Sequence, residues 1–92
     1  MSTKNLILLN NLCTHYSVEM SFFKSLDEFG LVEIILVEES QYIHLDKITD
    51  IEKMIRIHQE LNVNIEGIDV VFNLLNKIEE LQNELIIIKN KL

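Results

Sequence analysis

The last third of the chain, Asn64 to Leu92, carries a row of aliphatic residues at alternating steps of three and four: Val71, Leu74, Ile78, Leu81, Leu85, Ile88 and Leu92. That spacing is the a/d seam of a heptad repeat on a helix. At 1.5 Å per residue such a helix is roughly 40 Å long, more than a small domain can cover. Self-association through the seam is the expectation; the plainer alternative is a core helix within a monomer. Asn64 can cap the first free N–H groups, Val63 and Ile68 occupy the two positions of a hydrophobic staple, and Glu66 meets the positive end of the helix dipole. Lys89 and Lys91 complement the other end. Leu75 at e, Ile86 at b and Ile87 at c widen the apolar face beyond that of a two-stranded coil. Part of the helix is therefore expected to pack on its own domain or on more than one partner helix. Glu84 at g and Lys89 at the following e suit a parallel pair.

At 92 residues the prior is one domain, made of a body over residues 1–63 and the long helix over 64–92. Two glycines and no proline leave few break points, which favours helices joined by tight connections. Fifteen acidic residues against eight basic ones give a formal charge of −7, a sign that repels a phosphate backbone at long range. Nucleic acid is thus an unfavoured partner. The single cysteine, Cys13, has no internal disulfide partner, and Leu6 to Leu9 is too short for a signal core. The expectation is a soluble, cytoplasmic chain with no membrane association.

Leu8, Leu9, Leu12 and Tyr16 follow helical spacing and predict a short first helix. Ser17 reads as the N-cap of a second helix whose buried stripe is Val18, Phe22, Leu26 and Phe29, stopped by Gly30. Phe23 lies off that stripe. It either packs under the next element or contributes to an exposed binding patch. The β-branched run Leu31 to Val37 and the segment Tyr42 to Leu45 predict a hairpin. With no Asn-Gly or Asp-Gly pair between them, its loop is expected to exceed two residues. Asp46 reads as the cap of a third helix, with Ile48, Ile51, Met54, Ile55 and Leu61 on one face. His58 falls within that face and reads as a histidine bonded to a backbone carbonyl rather than a metal ligand, since no second ligand type stands three or four residues away.

Cys13 and His15, two apart, point in different directions on a helix, and His44 and His58 belong to separate elements, so no zinc site is expected. Neither glycine lies in a phosphate-loop signature, and no serine sits in a nucleophile-elbow context. The reading is a non-enzymatic protein without cofactor or metal.

The order of elements, together with Leu26-Asp27-Glu28-Phe29-Gly30-Leu31 and Gln59-Glu60-Leu61-Asn62-Val63-Asn64-Ile65-Glu66-Gly67-Ile68, resembles MerR-type regulators over nearly the whole chain. The first stretch is similar to the family's second helix running into Gly-Leu, the second to its turn between helices three and four. The resemblance implies a mainly α, winged helix-turn-helix fold with a small β-hairpin wing and a long C-terminal helix. DNA-binding members carry an Arg-Tyr-Tyr-type segment before the Gly-Leu, where this chain has Lys24-Ser25-Leu26. Their wing carries arginines, whereas this one offers Glu33, Glu38 and Glu39 and no basic residue. An acidic wing is poorly suited to phosphates.

Within that superfamily the short, acidic pattern resembles chaperone modulatory proteins of the CbpM type. That resemblance implies binding and inhibition of the J-domain of a DnaJ-like, CbpA-type co-chaperone, which keeps it from Hsp70. The alternatives are a MerR-like DNA-binding transcriptional regulator and a structural dimer module. For a basic J-domain the candidate contacts are Glu33, Glu38, Glu39, Asp50 and Glu52, with Phe23 or Tyr42 as an apolar anchor. The seam residues are the candidates for a homodimer or higher homo-oligomer.

Overall fold

The computed structural model describes residues 5–91. A short strand β1 (Leu6–Leu8) leads into α1 (Leu9–Tyr16) and α2 (Met20–Glu28). A hairpin of β2 (Ile35–Val37) and β3 (Ser40–His44) follows, then a 3-10 turn (Leu45–Lys47), α3 (Ile48–Leu61) and α4 (Ile65–Lys91). This is the mainly α helix-turn-helix with a wing and a long last helix that the sequence implies.

One element was not anticipated. Leu6 to Leu8 form a strand rather than the start of α1, and they pair antiparallel with β3, Leu6 opposite His44 and Leu8 opposite Tyr42. The strand order is β1-β3-β2, so the hairpin is the larger part of a three-stranded sheet. Three residues carry too little periodicity to announce a strand, and this one exists because a partner far along the chain supplies its hydrogen bonds.

The junction of α1 and α2 also differs from expectation. Ser17 does not cap α2. It ends α1 in the left-handed region, φ 55°, while Val18 N–H donates to the Cys13 carbonyl at 3.0 Å. Helix α2 then starts after Glu19, without a side-chain cap bond. Its end matches the glycine signal: Gly30 has φ 73°, its N–H donates to Asp27, and Leu31 N–H donates to Leu26, both at 2.9 Å. Those two bonds are a Schellman motif. The motif turns the chain at Phe29, which is 42% exposed instead of completing the buried stripe.

Phe23, by contrast, is fully buried, in edge-to-face contact with Phe22 at a centroid distance of 5.7 Å. It joins Leu9, Leu12, Leu26, Ile43, Ile51, Met54 and Ile68 in one core drawn from all four helices and the sheet. In α3, Ile51, Met54 and Ile55 face that core as expected, whereas Leu61 is exposed at the helix end. Asp46 lies in the 3-10 turn, not at a cap, and α3 begins without a side-chain cap bond.

The entry into α4 is as the sequence indicates. Asn64 Oδ1 accepts a hydrogen bond from Gly67 N–H at 2.8 Å, and Val63 packs against the core beside buried Ile68. Gly67 is needed for packing: a Cβ there would lie 2.5 Å from Val63 Cγ1. Ile65, Ile68 and Phe72 tie the first turns of α4 to the body. Every described residue from Asn73 onward is exposed, so α4 leaves the body as a free rod. Among the described residues, no helix is long and apolar enough to cross a membrane.

Candidate partner-binding surface

The wing tip is tighter than its sequence suggests. Val37 pairs with Ser40, which leaves only Glu38 and Glu39 in the turn, at φ 49° and 70°. Two residues with positive φ joining antiparallel strands make a type I′ turn, whose usual occupants are Asn and Gly. Glutamate in the left-handed region costs about 1–2 kcal/mol per residue. The chain accepts that cost and places two adjacent, exposed carboxylates at the tip of the hairpin.

Leu36, one residue inside that turn, is 69% exposed and lies opposite Gln41. Ile35 and Val37 on either side are more buried, so the strand alternates and turns its one apolar outward residue to solvent beside the acidic tip. Leu36 was not among the anchors anticipated from sequence. The signal was present as the middle member of an Ile-Leu-Val run in a short strand, but choosing its face requires the register.

Of the two anchors that were anticipated, Phe23 belongs to the core and cannot contact a partner. Tyr42 is half-buried on β3, between Ile35 and Leu8 across the sheet. Glu33 is exposed before β2 and lines a cleft of about 360 Å³ with Asp27, His44 and Lys47. Asp50 is exposed in the first turn of α3. Glu52 is half-buried and beside Tyr16 of α1. Burial, reinforced by the charge of Glu52 and a hydrogen bond to it, pushes the Tyr16 phenol above its ordinary range. Thus Glu38 and Glu39 form one compact group, while Glu52 is spent on an internal contact. Of the seam, Val71 is half-buried, and Leu74, Ile78, Leu81, Leu85 and Ile88 are exposed along one side of α4. Leu92 lies outside the described residues.

The face that a helix-turn-helix uses in a DNA groove is the outer side of its second helix. Here Lys24 is the single cation, against three exposed carboxylates: Glu19 just before the helix, and Asp27 and Glu28 in its last turn. A groove of about 550 Å³ lies between α2 and the α3–α4 turn. His58 lines it, with Nδ1 2.9 Å from the Val63 carbonyl and its ring tilted against Phe22 at 4.8 Å. A carbonyl only accepts, so Nδ1 carries the proton. Burial pushes the Cys13 thiol up, outweighing a backbone hydrogen bond. Among the described residues, no group of three His, Cys, Asp or Glu side chains could hold a metal ion.

The family profile described as MerR HTH family regulatory protein matches residues 7–90. The chain belongs to the MerR helix-turn-helix family. The match runs from β1 almost to the end of α4, so the MerR-family assignment covers the wing and the long helix as well as the helix pair. No curated protein and no solved structure matches this MerR-family chain significantly.

Proposed function

We propose that this MerR-family chain is a non-enzymatic, cofactor-independent cytoplasmic modulator that binds a basic protein through its wing. Its partner is the J-domain of a DnaJ-like co-chaperone, whose action on Hsp70 it inhibits. The observation that carries this reading is the Glu38–Glu39 tip, two carboxylates in strained backbone where a phosphate-binding wing would present cations. Backbone strain held at an exposed tip is a pointer to function. Opposite charge speeds encounter and selects the partner, and Leu36 supplies an apolar surface to desolvate beside it. Homodimer formation through the α4 seam completes the proposal. Left wet, each large aliphatic side chain of that row forgoes roughly 1.5–3 kcal/mol.

Calorimetry with the J-domain of the DnaJ-like protein from the same cell tests the reading at low and physiological salt. The expected result is binding that weakens as salt rises, falls at least tenfold on Glu38→Lys with Glu39→Lys, and reduces J-domain stimulation of Hsp70 ATP hydrolysis. Binding indifferent to salt and to both substitutions would remove the wing from the mechanism.

Family membership itself supports a second reading, a DNA-binding transcriptional regulator. Three exposed carboxylates against the one cation Lys24 in and next to α2, and a wing without lysine or arginine, oppose it. Sequence-dependent duplex binding below micromolar concentration at 0.15 M salt would promote this reading over the first.

A further inference from the structure

The wing has an open edge. Strand β2 lies outermost in the order β1-β3-β2, so among the described residues one side of it has no strand beside it. In an antiparallel sheet each residue turns both its N–H and its C=O to the same neighbour, and successive residues alternate between neighbours. Leu45 N–H donates to the Asn5 carbonyl at 2.8 Å and continues the register of Leu6 with His44. By that alternation Gln41 and Ile43 bond towards β1, while Ser40 and Tyr42 bond towards β2. Tyr42 stands opposite Ile35 and Ser40 opposite Val37, so Ile35 and Val37 are the residues tied to β3. Leu36, between them, aims its N–H and C=O at the open edge. Among the described residues, no turn or loop bond reaches either group.

Leu36 thus offers a donor, an acceptor and a side chain that is 69% exposed at one position. An edge strand is a template for a further strand, and strand addition is a recurring mode of peptide recognition. The surrounding charge decides which strand fits. Glu33 precedes β2, Glu38 and Glu39 follow it, all three are exposed, and no lysine or arginine stands between Leu31 and Asp46. A second copy of the same edge would set these carboxylates against like charge, as would an acidic segment. A strand with an apolar residue opposite Leu36 and lysine or arginine on either side meets opposite charge at both ends.

We propose that the open edge of β2 takes an extended, basic segment of a partner protein as a fourth, antiparallel strand, with Leu36 exchanging both backbone bonds. Antiparallel pairing lets one residue of the segment satisfy both groups. The inference rests on the reading that the wing binds a basic protein, and it specifies that the contacting element is an extended chain, not a helix. Main-chain bonds hold the segment, while Leu36 and the glutamates select alternating apolar and basic side chains.

Hydrogen exchange read by NMR at low salt tests it, with the peptide acetyl-Lys-Thr-Lys-Val-Lys-Thr-Lys-amide as the probe. The expected result is exchange of the Leu36 amide slowed at least tenfold at saturating peptide, with Ile35 and Val37, already bonded to β3, changed little. N-methylation of the central valine removes its donor and should abolish binding and protection. N-methylation of the lysine after it, whose N–H points away from β2, should leave both in place. Binding that leaves Leu36 unprotected, or that survives methylation of the valine, would overturn strand addition, as would absence of binding at millimolar peptide. So would protection of Leu36 in the protein alone that rises with its concentration, which would assign the edge to a second copy. Repeating the measurement with the J-domain separates the two readings. Salt-dependent J-domain binding with neither ligand protecting Leu36 removes the added strand and keeps the wing's role, whereas peptide protection without J-domain binding keeps the strand and removes that partner.

Discussion

His58 donates from Nδ1 to the carbonyl of Val63, 2.9 Å away, and so closes the turn between α3 and α4 with a side chain. The same turn holds Asn62 in the left-handed region, φ 54°, and a long backbone bond of 3.5 Å from Val63 N–H to Ile57. A weak backbone closure makes the imidazole bond matter more. His58→Phe keeps a ring against Phe22 but removes the donor, and should cost about 1 kcal/mol. His58→Ala loses the ring packing as well and should cost about 2–3 kcal/mol. Urea denaturation of the two variants side by side separates the contributions.

Gly67→Ala pits two effects against each other. Alanine is favoured over glycine within a helix by about 1 kcal/mol, but the new Cβ meets Val63 Cγ1 at 2.5 Å and Asn64 Oδ1 at 3.1 Å. Val63 is β-branched and packed, so it cannot swing aside cheaply. The expected outcome is a net loss of about 1–2 kcal/mol and a lower Tm, with Val63→Ala restoring part of the loss.

Replacing Glu38-Glu39 with Asn-Gly should stabilise the fold by about 1–2 kcal/mol, since those residues adopt positive φ readily. The same change should weaken binding of a basic partner. A gain in Tm together with a loss of J-domain affinity is the expected pair of results. Lower stability would show that the glutamates have local partners.

Leu81→Asp with Leu85→Asp should give monomers that keep the body, because neither residue touches it. Light scattering reads the mass, and near-ultraviolet circular dichroism reads the packed Phe22–Phe23 core. An unmodified protein that remains monomeric at high concentration would refute pairing through the seam.

Alkaline pH should destabilise the fold. Both Cys13 and Tyr16 have pKa values raised on folding, from ordinary values of 9.0 and 10.0. Their neutral forms are favoured in the folded state, so their contribution is full below those values and is lost as pH rises through them. Glu52→Gln removes the charge beside Tyr16 and should reduce the loss above pH 10. A pH series of thermal melts checks both effects.

Much of the architecture was legible because it is written in local signals. The Gly30 stop, the Asn64 cap, the staple of Val63 with Ile68 and the backbone role of His58 all depend on residues within a few positions of one another. The misreadings share the opposite cause. Strand β1 depends on Tyr42 to His44, far along the chain. Ser17 has the chemistry of a cap, yet its backbone finishes the preceding helix. The turn at Glu38-Glu39 is shorter than composition suggests because pairing of Val37 with Ser40 imposes a left-handed conformation that glutamate does not seek. Phe23 and Phe29 exchanged places because α2 is shorter and turned further than an even stripe implies. For the candidate surface, the acidic residues were legible and the apolar one was not, since Leu36 is distinguished from its neighbours only by the face it occupies.

The pairing of β1 with β3 also orders events in time. Leu6 to Leu8 leave the ribosome before their hydrogen-bonding partners, Tyr42 to His44. During synthesis α1 and α2 can form from local contacts while the strand ahead of them waits, its backbone unsatisfied, for the wing to emerge. The first described strand of the chain is then set only after the two helices that follow it. Crowding of β1 by a bulky group attached ahead of it should therefore slow the final closure of the sheet more than it lowers the stability of the finished fold.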